Sequence, residues 1–161
     1  LTTPMALSSP LAPRQGLVWS LRRRGFEPVE IAKELKTSRQ FVHQTLNAAD
    51  AKVSSLLTET ARANRIETLL LDVRNGVLTG YHHGLGKQVV ISYSGKHGVQ
   101  VWYWYEKPTA CADCELTQQC REYLLDEAEE REMPLTAEEK GLPPAQIARV
   151  VFNRLIRGLK P

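Results

Sequence analysis

Between Leu11 and Leu46 the chain reads LAPRQGLVWSLRRRGFEPVEIAKELKTSRQFVHQTL, and its apolar positions fall into three helical blocks. Leu17, Val18 and Leu21 make the first, Ile31, Ala32 and Leu35 the second, Val42 and Leu46 the third. Pro13 is placed to open the first helix and Gly25 to close it. Pro28 is placed to start the second helix, and Thr37 or Ser38 to cap the third. Gln40, three residues after Thr37, completes the sequence form of a capping box. The pattern predicts a helix-turn-helix; a three-helix knob packed on another element would share it.

A helix that starts at Ser38 presents Arg39, Gln40, His43 and Gln44 along one polar edge. Arginine can hold guanine bidentately and glutamine can hold adenine, so Thr37, Ser38, Arg39, Gln40, His43 and Gln44 are candidate DNA-reading residues. The third helix has no obvious stop, because no Gly or Pro falls between Ser38 and Asn75. Val42, Leu46, Ala49, Val53, Leu56, Thr60 and Ala63 alternate by four and three, and Ile66, Leu70 and Val73 extend the stripe after a phase shift. Such a seam needs a covering surface, either the same helix of a second copy or the rest of the chain. A homodimer is expected, since two reading helices on one duplex multiply affinity.

At Asn75-Gly76, a strong turn signal, the period changes from helical to alternating. Three antiparallel strands are predicted near Val77–His82, Lys87–Tyr93 and Val99–Glu106. In the last of them Val99, Val101, Tyr103 and Tyr105 point one way and Trp102 and Trp104 the other, so both faces should be covered. Core packing is the expected use of these aromatics, with a stacking platform or ligand pocket as the alternative. The acidic stretch Glu122–Glu132 reads as a solvated helix, Thr136 as a cap, and Pro143-Pro144 as the start of an amphipathic helix. The expected fold is therefore α+β. Residues 1–10 are a low-complexity tail, 11–74 a helix-turn-helix unit with a long dimerisation helix, and 75–161 a small sheet with C-terminal helices.

Charge sharpens this division. Residues 1–66 carry ten basic and five acidic side chains, 67–121 five of each, and 122–161 six and eight. The positive charge thus gathers on the helix-turn-helix, as attraction to phosphates requires. Arg22, Arg23 and Arg24 are candidate phosphate contacts, though cations at a helix C-terminus are also favoured by its dipole. No apolar run approaches a membrane span and no signal peptide is visible, so a cytoplasmic protein without membrane contact is expected.

Leu11, Pro13-Arg14-Gln15, Gly25, Ile31-Ala32, Leu35, Ser38 and Val42 resemble the helix-turn-helix of LuxR-type regulators and of sigma-factor region four. The string Thr37-Ser38-Arg39 ahead of Val42, followed by a long helix, resembles archaeal Tfx-type DNA-binding proteins more closely still. The resemblance covers about the first 65 residues. It implies sequence-specific binding of double-stranded DNA, with the third helix reading bases, in a regulator of archaeal type. The LuxR-like pattern usually carries Gly where this chain has Lys36.

All three cysteines lie within one short run, Cys111, Cys114 and Cys120, with the spacing C-x2-C-x5-C. Clustered thiols in an odd number argue against a disulfide framework and for a metal or cluster. Structural zinc usually takes four ligands in paired C-x2-4-C knuckles, whereas iron–sulfur cubanes accept such triplets. The run resembles the end of the motif in WhiB-type regulators and in iron–sulfur nucleases of CRISPR adaptation, which implies a cluster, expected to be 4Fe-4S, with zinc as the alternative. Both families place a fourth cysteine elsewhere, which this chain lacks. His97 is the first candidate for the fourth ligand, with His82, His83, Asp113, Glu115, an exogenous ligand or a second subunit as the others. The expected function is a dimeric, DNA-binding transcription regulator whose cluster or metal senses redox state, iron or oxygen, and no catalysis is expected. The alternatives are a nucleic-acid-processing enzyme with a structural cluster and an architectural DNA-binding protein with structural zinc.

Overall fold

The structure, a computed structural model, describes residues 11–104 and 111–156. The tail at 1–10 and the expected strand end at Tyr105 and Glu106 lie outside the described residues. Three helices come first: α1 (Pro13–Arg23), α2 (Pro28–Glu34) and α3 (Arg39–Ala63). A four-stranded antiparallel sheet follows, with β1 (Glu67–Asp72), β2 (Val77–His82), β3 (Lys87–Ser94) and β4 (Gly98–Tyr103) side by side in chain order. Helices α4 (Thr117–Glu130), α5 (Ala137–Lys140) and α6 (Pro144–Leu155) complete the α+β architecture.

Proline opens α1, α2 and α6, where a missing N–H is no loss. The helix ends share one device. After α1, Gly25 takes φ 101° and the Phe26 N–H donates back to the Leu21 carbonyl at 3.1 Å. Lys36 (φ 51°), Arg65 (φ 56°) and Glu132 (φ 52°) do the same after α2, α3 and α4. The returning bonds are Thr37 to Ala32 (3.0 Å), Ile66 to Ala61 (2.8 Å) and Met133 to Ala128 (2.9 Å). A non-glycine residue accepts the left-handed region at a cost of roughly 1–3 kcal/mol, offset here by the carbonyls it satisfies.

This device corrects the predicted third helix. α3 stops at Ala63, and Leu70, read as part of its stripe, lies in β1, a fourth strand. The β1–β2 turn is the Asn75-Gly76 signal: Asp72 accepts from the Asn75 backbone N–H (3.1 Å) and side-chain amide (2.7 Å), and Gly76 takes φ 67°. A division at residue 74 therefore cuts through a hairpin.

The sheet is covered on both faces. On one, Leu78, Val89, Ile91 and Tyr93 bury against Ala49, Val53, Leu57 and Ala61 of α3 and against Trp19 of α1. On the other, Val77 and Val90 meet Leu124 and Ala128 of α4 and Ile147, Val151 and Phe152 of α6. Val99, Val101 and Tyr103 join the first core, Trp102 and Trp104 the second, as their alternation predicted. The stripe is thus divided: Ala49 and Val53 face the chain's own sheet, Val42 and Leu46 face α1 and α2, and Ala63 at its end is exposed. A third core, Val18, Leu21, Ile31, Ala32, Val42 and Leu46, holds α1, α2 and the start of α3 together. No helix among the described residues is long and apolar enough to cross a membrane.

Candidate functional site

Helix α3 begins as a presented edge. Ser38 is its N-cap, and the Ser38 hydroxyl oxygen accepts from the Phe41 N–H at 3.0 Å. Val42, Thr45 and Leu46 are buried, while Ser38, Arg39, Gln40, His43 and Gln44 are exposed. Thr37 is half-buried in the turn. The spacing of residues 39, 40, 43 and 44 puts them on one helix face, opposite the core. None of these four side chains is engaged by another described residue, so all their donors and acceptors are open to a ligand. Lys33 and Lys36 are exposed just before this edge in the chain, at the end of α2 and in the turn, and Arg14 lies 5.5 Å over the Phe41 ring beside it. Sequence reasoning passed over these three cations, which stand singly and form no run.

The run Arg22-Arg23-Arg24 is engaged inside the chain. Arg22 makes a bidentate pair with Asp50 of α3 at 2.8 and 2.5 Å. Arg23 donates to Glu130 at 3.1 Å, lies 4.6 Å over the Trp19 ring, and leaves 2% of its side chain exposed. Arg24 donates to Glu132 at 2.5 and 2.8 Å. A phosphate would have to displace a carboxylate from each. Arg23 in particular is too deeply buried to act as an outward phosphate contact, contrary to the expectation from the run. Burial lowers its pKa, Arg131 adds to the lowering, and Glu130 opposes it.

The partners of these arginines lie on α4, and this revises the reading of its acidic run. Glu127 is fully buried; the Ser92 hydroxyl donates to it at 2.6 Å, and Arg131 pairs with it. Glu130 accepts from the Ser94 hydroxyl (2.6 Å), the Gly95 N–H (3.0 Å) and Arg23. Asp126 holds His97 (2.5 Å) and Lys96 (3.0 Å). The acidic helix is therefore one that docks on β3, the β3–β4 turn and α1 through its carboxylates, with its remaining acids in solvent. Burial alone would raise the Glu130 pKa, but the Ser94 hydroxyl, the Arg23 charge and the Gly95 N–H outweigh it and hold the carboxyl below its ordinary value. A depressed carboxylate pKa stabilises the fold fully above the unfolded value, about 4.3, and that contribution is lost as pH falls through the folded value. Urea unfolding of Glu130→Gln is expected to show lower stability at neutral pH and a flatter decline below about pH 4.3. An acid limb as steep as that of the parent protein would refute this account.

The cysteine segment leads into α4, with Cys120 in its first turn. Cys111 and Cys120 are half-buried and Cys114 is exposed; all three are free thiols. The Cys114 N–H donates to the Cys111 carbonyl at 3.4 Å, Thr117 N–H to the Cys114 carbonyl at 3.2 Å, and the Thr117 hydroxyl to the Cys111 carbonyl. Burial pushes the Cys120 thiol above its ordinary pKa, with Cys114 and Cys111 pushing the same way. Among the described residues, no three His, Cys, Asp or Glu side chains converge in a way that could hold a metal ion. The expected fourth ligand is engaged elsewhere: His97 binds Asp126 and stacks on Tyr123 with ring centres 4.1 Å apart. His83 faces Glu67 at 2.5 Å, and His82 Nδ1 accepts from the Leu85 N–H at 3.0 Å. The donor set as placed does not fit a preassembled iron–sulfur or zinc centre. Compared with models of protein families, with curated proteins and with solved structures, this chain finds no match.

Proposed function

We propose that this protein is a sequence-specific, double-stranded-DNA-binding transcription regulator. One observation carries the reading. The edge Arg39, Gln40, His43 and Gln44 is exposed and unengaged on a capped helix whose opposite face is locked in a three-helix core. Those side-chain types can read base edges in the major groove, and Lys33, Lys36 and Arg14 beside them suit the phosphates. Two copies, one reading helix per half-site, form the proposed DNA-bound unit. The buried positions Ala49, Val53 and Leu57 of α3 pack within the chain, so the proposed contact between copies uses another surface.

The cysteine segment is the candidate input end. Its support is contiguity, since α4 has Cys120 at one end and Glu130, paired to Arg23 of α1, at the other. Iron, sulfide and zinc content of protein purified without air separates a cluster, a zinc staple and metal-free thiols. No observation favours the nuclease or architectural readings over this one.

The test of DNA reading is titration of labelled genomic promoter fragments followed by fluorescence anisotropy. Arg39→Ala is expected to weaken specific binding by about 1–3 kcal/mol and relax preference at one base pair, leaving non-specific binding almost unchanged. Absence of duplex binding by the unaltered protein at low ionic strength would overturn the reading.

A further inference from the structure

Between β4, α4 and α6 lies a cavity of about 460 Å³, a size suited to a small organic ligand. Trp102, Trp104 and Tyr123 give it aromatic walls, and Ala145 and Ala148 of α6 leave room between them. The thiols of Cys111, Cys114 and Cys120 all border it. The Trp104 indole N–H is buried and has no hydrogen-bond partner among the described residues, an uncommon state for a buried donor. An apolar, flat-walled cavity with one orphan donor and several free thiols matches a specific ligand chemistry. The ligand is flat and aromatic, carries a carbonyl acceptor for Trp104, and is electrophilic toward sulfur.

We propose that this cavity binds a quinone and that Cys111 or Cys120 adds to its ring. The sulfur lone pair forms a C–S bond to an unsubstituted ring carbon. The thiol proton and the hydrogen displaced from that carbon end on the two carbonyl oxygens. The quinone is thereby reduced to a hydroquinone thioether, and no other oxidant or reductant is needed. Binding before reaction makes the step effectively intramolecular, so the rate saturates with quinone concentration. This proposal is independent of DNA binding and stands or falls without it.

Menadione, a naphthoquinone with one free ring carbon, is the probe. With the unaltered protein, the adduct rate measured by intact mass should rise hyperbolically with menadione, and peptide mapping should place the adduct on Cys111 or Cys120. Ala148→Phe fills the cavity from a buried position; Ala145→Phe, half-buried, is the milder variant should the first fail to fold. Filling the cavity should slow the reaction at low menadione by roughly tenfold or more and remove saturation. A protein with all three cysteines changed to serine should still show saturable menadione quenching of tryptophan fluorescence. The proposal is overturned by a rate linear in menadione and equal in the filled variants, by an adduct confined to the exposed Cys114, or by loss of quenching in the serine protein.

Discussion

Trp19→Ala will lower the unfolding free energy by about 3–5 kcal/mol, in the upper range for a single side chain. Trp19 has no exposed surface and belongs to the core that α3 shares with the sheet, although it sits on α1 of the helix-turn-helix. Its ring meets Tyr93 of β3 edge-on with centres 5.1 Å apart, and the Arg23 guanidinium covers it. The fit is tight against the β1–β2 turn as well, since a Cβ on Gly76 would come within 2.8 Å of the indole. Truncation removes the hydrophobic burial, opens a cavity among α1, α3 and the sheet, and strips the cover from a buried cation. Trp19→Phe should cost less than alanine, because it retains an aromatic ring and also removes an indole N–H that has no partner. Urea unfolding followed by circular dichroism measures both. A Trp19→Ala loss under about 1 kcal/mol would mean that α1 is held to the sheet by something other than this ring.

Such a result bears on the proposed function because α1, together with the packing of α3 itself on the sheet, holds the exposed edge of α3 in place. Trp19, Arg23 and Arg24 tie α1 to the sheet and to α4, and Arg22 ties it to α3. The exposed edge of α3 is therefore fixed relative to the sheet, an arrangement that suits the base contacts proposed above.

What was legible in the sequence follows from which signals act locally. The proline starts of α1 and α2, the Ser38 cap, the Asn75-Gly76 turn and the two-sided aromatic alternation of β4 are written in a few adjacent residues, and each stands where its pattern predicts. The end of α3 was missed because Arg65 holds a left-handed position usually given to Gly or Asn. A usable signal was present in Ile66, the apolar residue that closes the cap and is buried against the core. Lys36 and Glu132 play the same part, so a search for glycines finds only the end of α1. The α3 stripe looked like a heptad because apolar residues at i, i+4 and i+7 serve a coiled coil and a sheet-packed helix alike. The buried set Ala49, Val53, Leu57 and Ala61 recurs every four residues instead. Long-range pairing was the least legible. Nothing local says that Arg23 meets Glu130, 107 positions away, and so a basic run and an acidic run were each read as facing solvent.

Changing one member of the Arg131–Glu127 pair will cost about 3–5 kcal/mol, and changing both will cost about 2–3 kcal/mol less than the sum. The pair looks like an ordinary i, i+4 contact on α4, but the Arg131 and Glu127 side chains are 3% and 1% exposed. Around it, Ser92 donates to Glu127, Trp102 donates to Ser92 at 3.0 Å, and Arg131 donates to the Asn75 carbonyl at 3.1 Å and the Tyr93 carbonyl at 3.4 Å. Arg131→Met alone leaves Glu127 as a buried charge with only a hydroxyl to solvate it. Glu127→Leu alone leaves Arg131 facing Arg23 across a low-dielectric space, since the two cations already repel each other. In the double variant both charges are gone and two apolar side chains fill the volume, so only the lost bonds to Ser92 and the two carbonyls remain to be made good by relaxation or water. A double-mutant cycle in urea should therefore give a coupling of about 2–3 kcal/mol that favours keeping or removing both together. Additive losses, or single losses below about 1 kcal/mol, would show that water solvates these charges and that α4 docks through its apolar residues alone.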